Sequence, residues 1–452
     1  MPSIPQAPGA IPLFGHSIQL FRDPISFLSG LPKEKITQIR IGPMKAIVIL
    51  DRELTKQVLR DDKTFDKGGP FFHRLREVMG NGLGTCPRSE HRQQRRLIQP
   101  AFHHSRMESY SVTMQRQIAA VIDGWSDGQE IDGRAEMMDL TTRVAVATMF
   151  SDSLSDHDVR ETNIDFATIV RTMYKRMLTP SPFDKIPTPE KQRYDAARSR
   201  IKNRTEKIIS ERRKAGCPDM GDLLSVLLSA RMDDGRELNS TEIHDHLSTF
   251  FMAGVMTTAS SLSWTLHLIS QNPEIQKQLQ SESDNILGDR KIANAADLES
   301  LEFARRVLLE SLRLWAPGWF VTRVAVNDTE LAGYPITSGR TIIFSPFLLH
   351  RQEDTYPNAD SFDPDRWLLE RDNIPRDAHI PFGDGPRKCI ADAFSLMQST
   401  LVISAIASRW ELSPAPSAEV RPSYGAVISP NGLRLTVSDR LGSTSANTLE
   451  FK

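Results

Sequence analysis

The sequence predicts a mainly α-helical fold with a smaller β-rich part. From about residue 90 to residue 315, the apolar residues recur in long helical periods with interspersed charges and few helix breakers. Alternating apolar residues at positions 36–49, and strand and turn signals after about residue 317, predict strands. Because the strand signals come from both the early and the late chain, we expect one cooperative unit rather than independent modules.

The individual elements follow in chain order. Residues 2–15 carry four prolines and should run extended over the surface. The alternation on both sides of Gly42-Pro43, within residues 35–51, predicts a β-hairpin. Prolines within residues 179–189 predict a loop between helices. Further elements are expected as strands at residues 322–326, 341–344 and 433–437, a helix at residues 391–408, and a frayed polar tail at residues 441–452.

Length and composition limit the class of protein. We expect one domain over residues 1–452, with its β-rich part at about 34–65 and 317–440 and its helical body at about 90–315. A net charge of −1 gives no overall electrostatic case for nucleic-acid binding. Three widely separated cysteines indicate neither a disulfide scaffold nor a zinc site. Without a signal peptide or an apolar run of 18 residues, we expect a soluble, cytoplasmic protein, a monomer with no membrane span.

The most specific motif is the segment at residues 381–391, PFGDGPRKCIA. Two glycines and a proline before Cys389 predict a tight loop, and a helix is predicted directly after it. Cys389 therefore lies just before a helix N-terminus, where backbone N–H groups and the helix dipole stabilise a thiolate. Taken alone, a single cysteine is more often an inert buried residue than a ligand.

The whole segment resembles the haem-binding loop of the cytochrome P450 family. The matching residues are Phe382, Gly385, Arg387, Cys389 and, where the family has a last glycine, Ala391. The resemblance implies the P450 fold, with haem b held between a long central helix and this loop and its iron ligated by the Cys389 thiolate. It also implies that Phe382, Gly383, Arg387 and Ala391 bind the cofactor.

Two further segments resemble the part of the family that supports this loop. Glu310 and Arg313 are three residues apart and share one face of a predicted helix, where they can pair. Arg366 lies in the segment FDPDRW at residues 362–367. The resemblance implies that Glu310, Arg313 and Arg366 form a buried structural cluster, from which removal of one member would be costly.

A long helix, with capping residues Asn239 and Ser240 and an end at Asn272-Pro273, carries the third motif. By itself, a glycine followed by two threonines in an apolar helix predicts a close helix contact. The resemblance implies instead an oxygen-binding groove with catalytic residues Ala253, Gly254, Met256, Thr257 and Thr258. Met256 departs from the family, which has an acid there, and a thioether cannot relay protons.

Haem propionates need cationic donors. His91 and Arg95 lie four residues apart on one predicted helix face, and the resemblance implies that they bind the propionates with Arg323 and Arg387. His350 is interpreted as an ordinary packed or surface histidine.

The substrate predicted by the resemblance is apolar and bulky. The stretches at residues 65–70 and 81–87 resemble bacterial terpene-oxidising members of the family, which implies hydroxylation of an unactivated C–H bond of a cyclic sesquiterpene or diterpene. The family's pocket-lining regions contribute the predicted pocket residues Phe71, Met79, Met173, Phe250, Trp319, Phe320, Val321 and Val427.

The reaction needs O₂ and two electrons, and the chain has no room for a reductase domain. We expect a ferredoxin and a ferredoxin reductase as donors, the ferredoxin docking on Arg88, Arg92, Arg96 and Lys388. Three alternatives stay open. A hydroxylase of fatty acids or other lipids would need a carboxylate anchor, for which no candidate is evident. A peroxygenase, or another haem-thiolate enzyme that does not reduce oxygen, would suit Met256. A haem-based sensor would have no use for the groove.

Overall fold

The computed structural model describes residues 3–32, 34–151, 155–178, 186–368, 374–375 and 377–440, without the side chains of residues 156, 170, 171 and 173–178. The helices are α1 (Ser17–Arg22), α2 (Pro24–Ser29), α3 (Arg52–Arg60), α4 (Gly69–Met79), α5 (Arg88–Ile98), α6 (His104–Ile122), α7 (Gly133–Phe150), α8 (Asp156–Leu178), α9 (Pro189–Lys214), α10 (Leu223–Ser229), α11 (Ser240–Gln271), α12 (Pro273–Leu287), α13 (Glu302–Leu314), α14 (Pro346–Leu349) and α15 (Asp392–Arg409). The strands are β1 (Ile36–Ile41), β2 (Met44–Ile49), β3 (Phe65–Asp66), β4 (Gln129–Asp132), β5 (Val321–Ala325), β6 (Thr329–Leu331), β7 (Tyr334–Ile336), β8 (Thr341–Phe344), β9 (Trp410–Pro414), β10 (Arg421–Tyr424), β11 (Ile428–Asn431) and β12 (Arg434–Asp439).

The largest sheet joins both ends of the chain, in the strand order β1-β2-β8-β5-β3. Strands β1 and β2 form the predicted hairpin, with Ile36 opposite Ile49 and Ile41 opposite Met44. Strand β2 then runs parallel to β8, which lies about 300 residues later and forms where the sequence predicted it. This non-local pairing places the segments before and after the helical body in one sheet.

Among the described residues of the predicted helical body, β4 is the one strand that interrupts the helices. This strand pairs antiparallel with β12, which also pairs with β9, and together they form a three-stranded sheet. The sequence did not predict β4, because four residues between two glycines are too short to show a period of two.

Helix α11 is the central element and contributes to both large apolar clusters. Ala259, Leu262 and Leu266 lie in one cluster, and Leu247 and Phe251 lie in the other. The predicted start of the helix is confirmed by a capping box, in which the Asn239 side chain accepts from the Glu242 backbone N–H and the Glu242 carboxylate accepts from the Asn239 N–H. Helix α11 is buried along most of its length. An exposed stretch in the middle of this helix therefore marks a space inside the protein.

The segment before α1 follows the surface without helix, as predicted. Gln6 forms a parallel bridge to Gln38, and Gly15 forms an antiparallel bridge to Ile41, so the segment lies along β1. The loop predicted within residues 179–189 lies mostly outside the described residues, as does the predicted tail at residues 441–452. Among the helices that the structure describes, none combines the length and apolar character needed to cross a bilayer.

Candidate active site

The cysteine loop packs against the end of α3. Gly383 and Gly385 have φ values of 73° and 68°, a left-handed conformation that glycine adopts readily. A Cβ atom at Gly385 would lie 2.5 Å from the Leu59 carbonyl oxygen, so a larger residue does not fit there. The Cys389 N–H donates to the Phe382 carbonyl at 2.9 Å, which closes the loop just before α15. The predicted turn and helix start are therefore confirmed.

The Cys389 side chain is exposed to a cleft, although protein surrounds it on most sides. Burial raises the pKa of its thiol, while the Ala391 backbone N–H, Lys67 and Arg95 lower it. A bound cation would add the charge that keeps the thiolate ionised. The described residues contain no group of three or more His, Cys, Asp and Glu side chains suited to a metal ion, so among these side chains a metal at Cys389 would have at most one ligand besides the cysteine.

A buried cluster of basic side chains lies beside the loop. Arg323, Arg387 and His91 are each at least nine-tenths buried. Arg387 donates to the Asp66 carboxylate at 2.5 Å and to the Cys86 carbonyl at 3.0 Å. Arg323 donates only to the carbonyl of its neighbour Thr322, and no described carboxylate lies within ion-pair distance of it. Burial, and then Arg387, lower the pKa of Arg323 to about 10.

Lys67 belongs to the same cluster, although sequence reasoning did not identify it as a cofactor residue. Its ammonium donates to the Gly84 carbonyl at 2.9 Å. Burial, followed by repulsion from Arg323 and Arg387, lowers the pKa of Lys67 to about 7. Burial, followed by the charges of Arg387, Lys67 and Arg95, lowers the pKa of His91 to about 3, so its ring is neutral. This excess of buried positive charge suits an anionic group, and the two propionates of haem have the required charge.

Arg95 connects helix α5 to the cysteine loop, because its Nη1 donates to the Lys388 carbonyl at 2.7 Å. The structure therefore brings together the four predicted propionate residues, His91, Arg95, Arg323 and Arg387, from α5, β5 and the cysteine loop.

The predicted groove on α11 is open. Ala253 and Gly254 are exposed, although the neighbouring residues Phe251 and Val255 are buried. A Cβ atom built on Gly254 would meet no atom within 4 Å. The Thr257 hydroxyl donates to the Ala253 carbonyl at 2.6 Å and lies at the end of this opening.

The neighbours of Thr257 point elsewhere. Met256 is partly buried against the apolar cluster that contains Phe251 and Val255. The Thr258 hydroxyl lies 3.3 Å from the Ser395 hydroxyl on α15. Thr258 thus links α11 to the helix that follows Cys389.

Haem fits these features together. Cys389 faces a cleft and can bind iron. The stretch of α11 at Gly254 leaves room for a flat macrocycle. The excess of buried positive charge can pair with two carboxylates. Cys389 would hold the iron, and Lys67, Arg323 and Arg387 would face the propionates. Phe382, which packs against the largest apolar cluster, and Ala391, which is half-buried, lie on the same loop.

The predicted charge cluster is present and fully enclosed. Glu310 and Arg313 have no exposed surface, and Arg313 donates to the two Glu310 carboxylate oxygens at 2.8 and 2.9 Å. Arg366 Nε donates to Glu310 at 3.2 Å. Trp367, which sequence reasoning did not single out, also donates to Glu310, at 2.9 Å. Each lone pair of the buried carboxylate therefore has a donor nearby.

His350 connects this cluster to the cysteine loop. It is completely buried, and its carbonyl accepts from Arg313 Nη1 at 2.8 Å. Its ring Nε2 accepts from the Ile380 N–H at 2.9 Å, directly before Pro381 and Phe382. Burial keeps the pKa of His350 well below its usual range, so the ring stays neutral and can accept this bond. Its interpretation as an ordinary histidine missed this contact, which no local motif indicates.

An apolar cavity of about 110 Å³ lies where the N-terminal part of the chain, α4 and the large sheet meet. Three of the eight predicted pocket residues line it: Phe71, Trp319 and Phe320. Trp319 is fixed by a 3.0 Å hydrogen bond from its indole N–H to the Gly425 carbonyl. The polar groups of the lining are few, so the cavity favours an apolar ligand.

The other predicted pocket residues lie elsewhere. Met79 is buried in the second apolar cluster, and the ring of Phe250 packs 5.2 Å from that of Phe102. Val321 packs against the cluster beneath the large sheet, and Val427 lies in the turn between β10 and β11. The side chain of Met173 lies outside the described residues.

Comparison with known proteins agrees with this geometry. The sequence profile of the family "Cytochrome P450" matches residues 5–437. Pentalenene oxygenase of Streptomyces avermitilis is 39% identical over 437 residues, which are 96% of this chain and 97% of that protein. Cyclooctat-9-en-7-ol 5-monooxygenase of Streptomyces melanosporofaciens is also 39% identical, over 91% of this chain and 90% of that protein.

A solved structure gives the same result. The crystal structure of cytochrome P450DA heme domain superposes with a TM-score of 0.87 at 26% identity, and the match covers 97% of this chain and 98% of that one. The fold class expected from the sequence is therefore confirmed, and with it the haem and its cysteine-thiolate ligation. The chain belongs to the cytochrome P450 family and is a monooxygenase of that family.

Proposed function

We propose that this enzyme hydroxylates an unactivated C–H bond of an apolar cyclic terpene, with O₂ and two electrons from a separate redox partner. The apolar cavity lined by Phe71, Trp319 and Phe320 carries this proposal, because it offers surface for a hydrocarbon and no carboxylate anchor. Two relatives support it, since their names state action on pentalenene and on cyclooctat-9-en-7-ol, a cyclic hydrocarbon and a cyclic alcohol. The substrate would be a sesquiterpene or a diterpene.

The site residues have distinct roles in this proposal. When bound, the haem would supply the oxygen chemistry, and Cys389 would hold its iron through the thiolate. Ala253 and Gly254 keep α11 clear of the reacting atoms, and Thr257 holds a proton at Oγ1. The aromatic cavity residues orient the substrate and exclude water. We further propose that residues 1–452 act as one catalytic domain, since the large sheet joins strands from both ends of the chain.

A spectral titration of the ferric enzyme tests the substrate class. Cyclic sesquiterpenes and diterpenes should displace water from the site and convert the haem from low to high spin, whereas fatty acids of similar size should not. Saturable binding of a terpene at micromolar concentration, followed by detection of its hydroxylated product, would support the proposal. A high-spin shift with fatty acids alone would favour the fatty-acid hydroxylase.

Thr257→Ala is expected to reduce the product formed per electron pair by about tenfold, because no acid at position 256 can take over the proton. The measurement compares product with reductant consumed and peroxide released. The terpene-induced spin shift should remain, since the variant leaves the apolar cavity intact.

Met256→Leu is the matched control for this prediction. It keeps an apolar side chain against the same cluster and should retain coupling. Unchanged coupling in Thr257→Ala would show that the proton follows another route. Full turnover of wild type with peroxide and no reductant would favour a peroxygenase.

The electron donor is proposed to be an acidic ferredoxin that receives its electrons from a reductase. The structure shows that most of the predicted docking cations are already paired. Arg88 lies 3.2 Å from Asp62, Arg96 lies 2.6 Å from Asp233, and Lys388 lies 2.6 Å from Asp392. Exposed ion pairs of this kind contribute little stability, so they can exchange for carboxylates of a partner. Arg92, also exposed, lies on the same helix as Arg88 and Arg96.

Charge reversal at Arg92 and Arg96 is expected to slow electron transfer from an acidic ferredoxin at least tenfold at low ionic strength, about what loss of steering produces. The difference should shrink as salt is added, because screening weakens steering. Stopped-flow reduction of the ferric enzyme under carbon monoxide, followed by the appearance of the reduced carbon monoxide complex, measures the rate. Reversal of the exposed Lys207 on α9 is the matched control. Equal rates at all salt concentrations would exclude this docking face.

A further inference from the structure

A surface patch near the N-terminus exposes large apolar side chains that nothing in the described chain covers. In the part of the chain that the structure describes, ten large apolar residues have exposed side chains, and half of them lie within residues 11–21. We call them the N-terminal apolar patch: Ile11, Leu13, Phe14, Ile18 and Phe21. Leu13 is 83% exposed and Phe21 is 64% exposed. Contiguous apolar surface of this kind marks a site of interaction with a protein or a membrane.

The patch is held in place by backbone hydrogen bonds. The Gly42 N–H donates to the Phe14 carbonyl at 3.1 Å, and the His16 N–H donates to the Arg40 carbonyl at 2.6 Å. Leu13 has a φ of 66°, a left-handed conformation that is unfavourable for leucine. A strained residue that presents an exposed apolar side chain indicates a functional constraint rather than a packing one.

Three exposed cations lie on α1 or on the hairpin beside the patch. Arg40 and Lys45 face each other across β1 and β2, and both are exposed, so two like charges lie directly opposite in the hairpin. Arg22 ends α1, next to Phe21. Within the described chain, no carboxylate lies within ion-pair distance of these three residues. The carboxylate nearest in sequence, Asp23, accepts a hydrogen bond from the Ser26 N–H as the cap of α2.

The patch is continuous with the apolar cavity. Leu20, on α1 between Ile18 and Phe21, lines the cavity, as do Ile41 and Met44 from the end of the hairpin. The same short helix therefore presents one face to the cavity and another to the exterior.

We propose that the N-terminal apolar patch and its three cations form a docking surface for an anionic lipid bilayer. Apolar side chains that enter the headgroup region, together with a basic margin, are the two signals that together hold a protein at such a surface. An apolar protein partner would have no use for the three unpaired cations, whereas anionic lipid headgroups would pair with them. Docking here would bring the cavity, which Leu20 of α1 lines, close to the membrane that holds apolar substrates. This last step rests on the proposed function, whereas docking does not.

Vesicle flotation with the full-length holoenzyme tests the proposal without any turnover. We expect binding to phosphatidylcholine vesicles that contain 30% phosphatidylglycerol, and at least tenfold weaker binding to pure phosphatidylcholine. The variant Leu13→Ser, Phe14→Ser, Phe21→Ser should bind anionic vesicles at least tenfold more weakly. The variant Arg22→Gln, Arg40→Gln, Lys45→Gln should lose the preference for phosphatidylglycerol.

The matched control replaces exposed apolar residues outside the patch by serine: Val112, Met220 and Val326. It should bind anionic vesicles like wild type. Absence of wild-type binding, or equal binding by the serine variant of the patch, would overturn the proposal. A concentration-dependent dimer in sedimentation velocity that this variant abolishes, without vesicle binding by wild type, would assign the patch to self-association instead. Loss of vesicle binding with normal terpene-induced spin shifts would leave the proposed function untouched.

Discussion

Cys389→Ala is expected to abolish the red-shifted band of the reduced carbon monoxide complex and all monooxygenase activity. The thiolate sulfur is the charge donor on which this chemistry depends, and alanine offers no ligand. The loop should still form, because the Cys389 N–H, and not its side chain, closes it onto the Phe382 carbonyl. Difference spectra of the reduced enzyme with and without carbon monoxide measure the band, and extraction of the haem measures its content.

The other two cysteines provide the controls. Cys86 is buried, its backbone carbonyl accepts a hydrogen bond from Arg387 and its thiol lies near the same guanidinium, whereas Cys217 is exposed. Cys86→Ala and Cys217→Ala should therefore keep the band. Persistence of the band in Cys389→Ala would show that another residue ligates the iron, and its loss in Cys86→Ala with intact folding would also contradict the assignment.

The parts of the site that the sequence predicted are those whose signal is local. Residues 381–391 specify their own turn through two left-handed glycines, and the adjacent helix start follows in the same segment. The spacing of Glu310 and Arg313 on one helix face predicted their pairing, which the structure confirms at 2.8 Å. The hairpin was predicted for the same reason, since its alternation lies within residues 35–51.

The parts that the sequence did not predict depend on contacts between distant segments. Lys67 joins the cluster of basic side chains only because β3 pairs with β5, which carries Arg323. His350 became a support of the cysteine loop through a bond to Ile380, 30 residues later. Neither residue has a local pattern that distinguishes it from a surface lysine or a packed histidine.

The apolar cavity shows the same limit. Aromatic and methionine residues fill cores as readily as they line pockets, so residue type alone could not separate Phe71, which lines the cavity, from Phe250, which packs on Phe102. The exposure of the apolar residues near the N-terminus could not be predicted from the sequence either, because exposure follows from the tertiary fold and not from hydropathy.

Glu310→Gln is expected to lower the free energy of unfolding by about 3–5 kcal/mol, the effect of leaving buried cations without their counterion. The change keeps the shape of the side chain but removes the charge that balances Arg313 and Arg366. Arg313 is completely buried, so solvent cannot replace the lost carboxylate. Urea unfolding of the holoenzyme, followed by circular dichroism, measures the change.

Glu302→Gln is the matched control, because Glu302 begins the same helix and is exposed. It should change the free energy of unfolding by less than about 0.5 kcal/mol. Haem retention distinguishes a general loss of stability from a specific weakening of the Cys389 loop. Arg313 holds the His350 carbonyl, and the His350 ring holds the Ile380 N–H ahead of the cysteine loop. Glu310→Gln should therefore release haem at urea concentrations below those that unfold the helices. Loss of haem and helix in a single transition, or a stability close to that of Glu302→Gln, would show that the cluster does not support the Cys389 loop through His350.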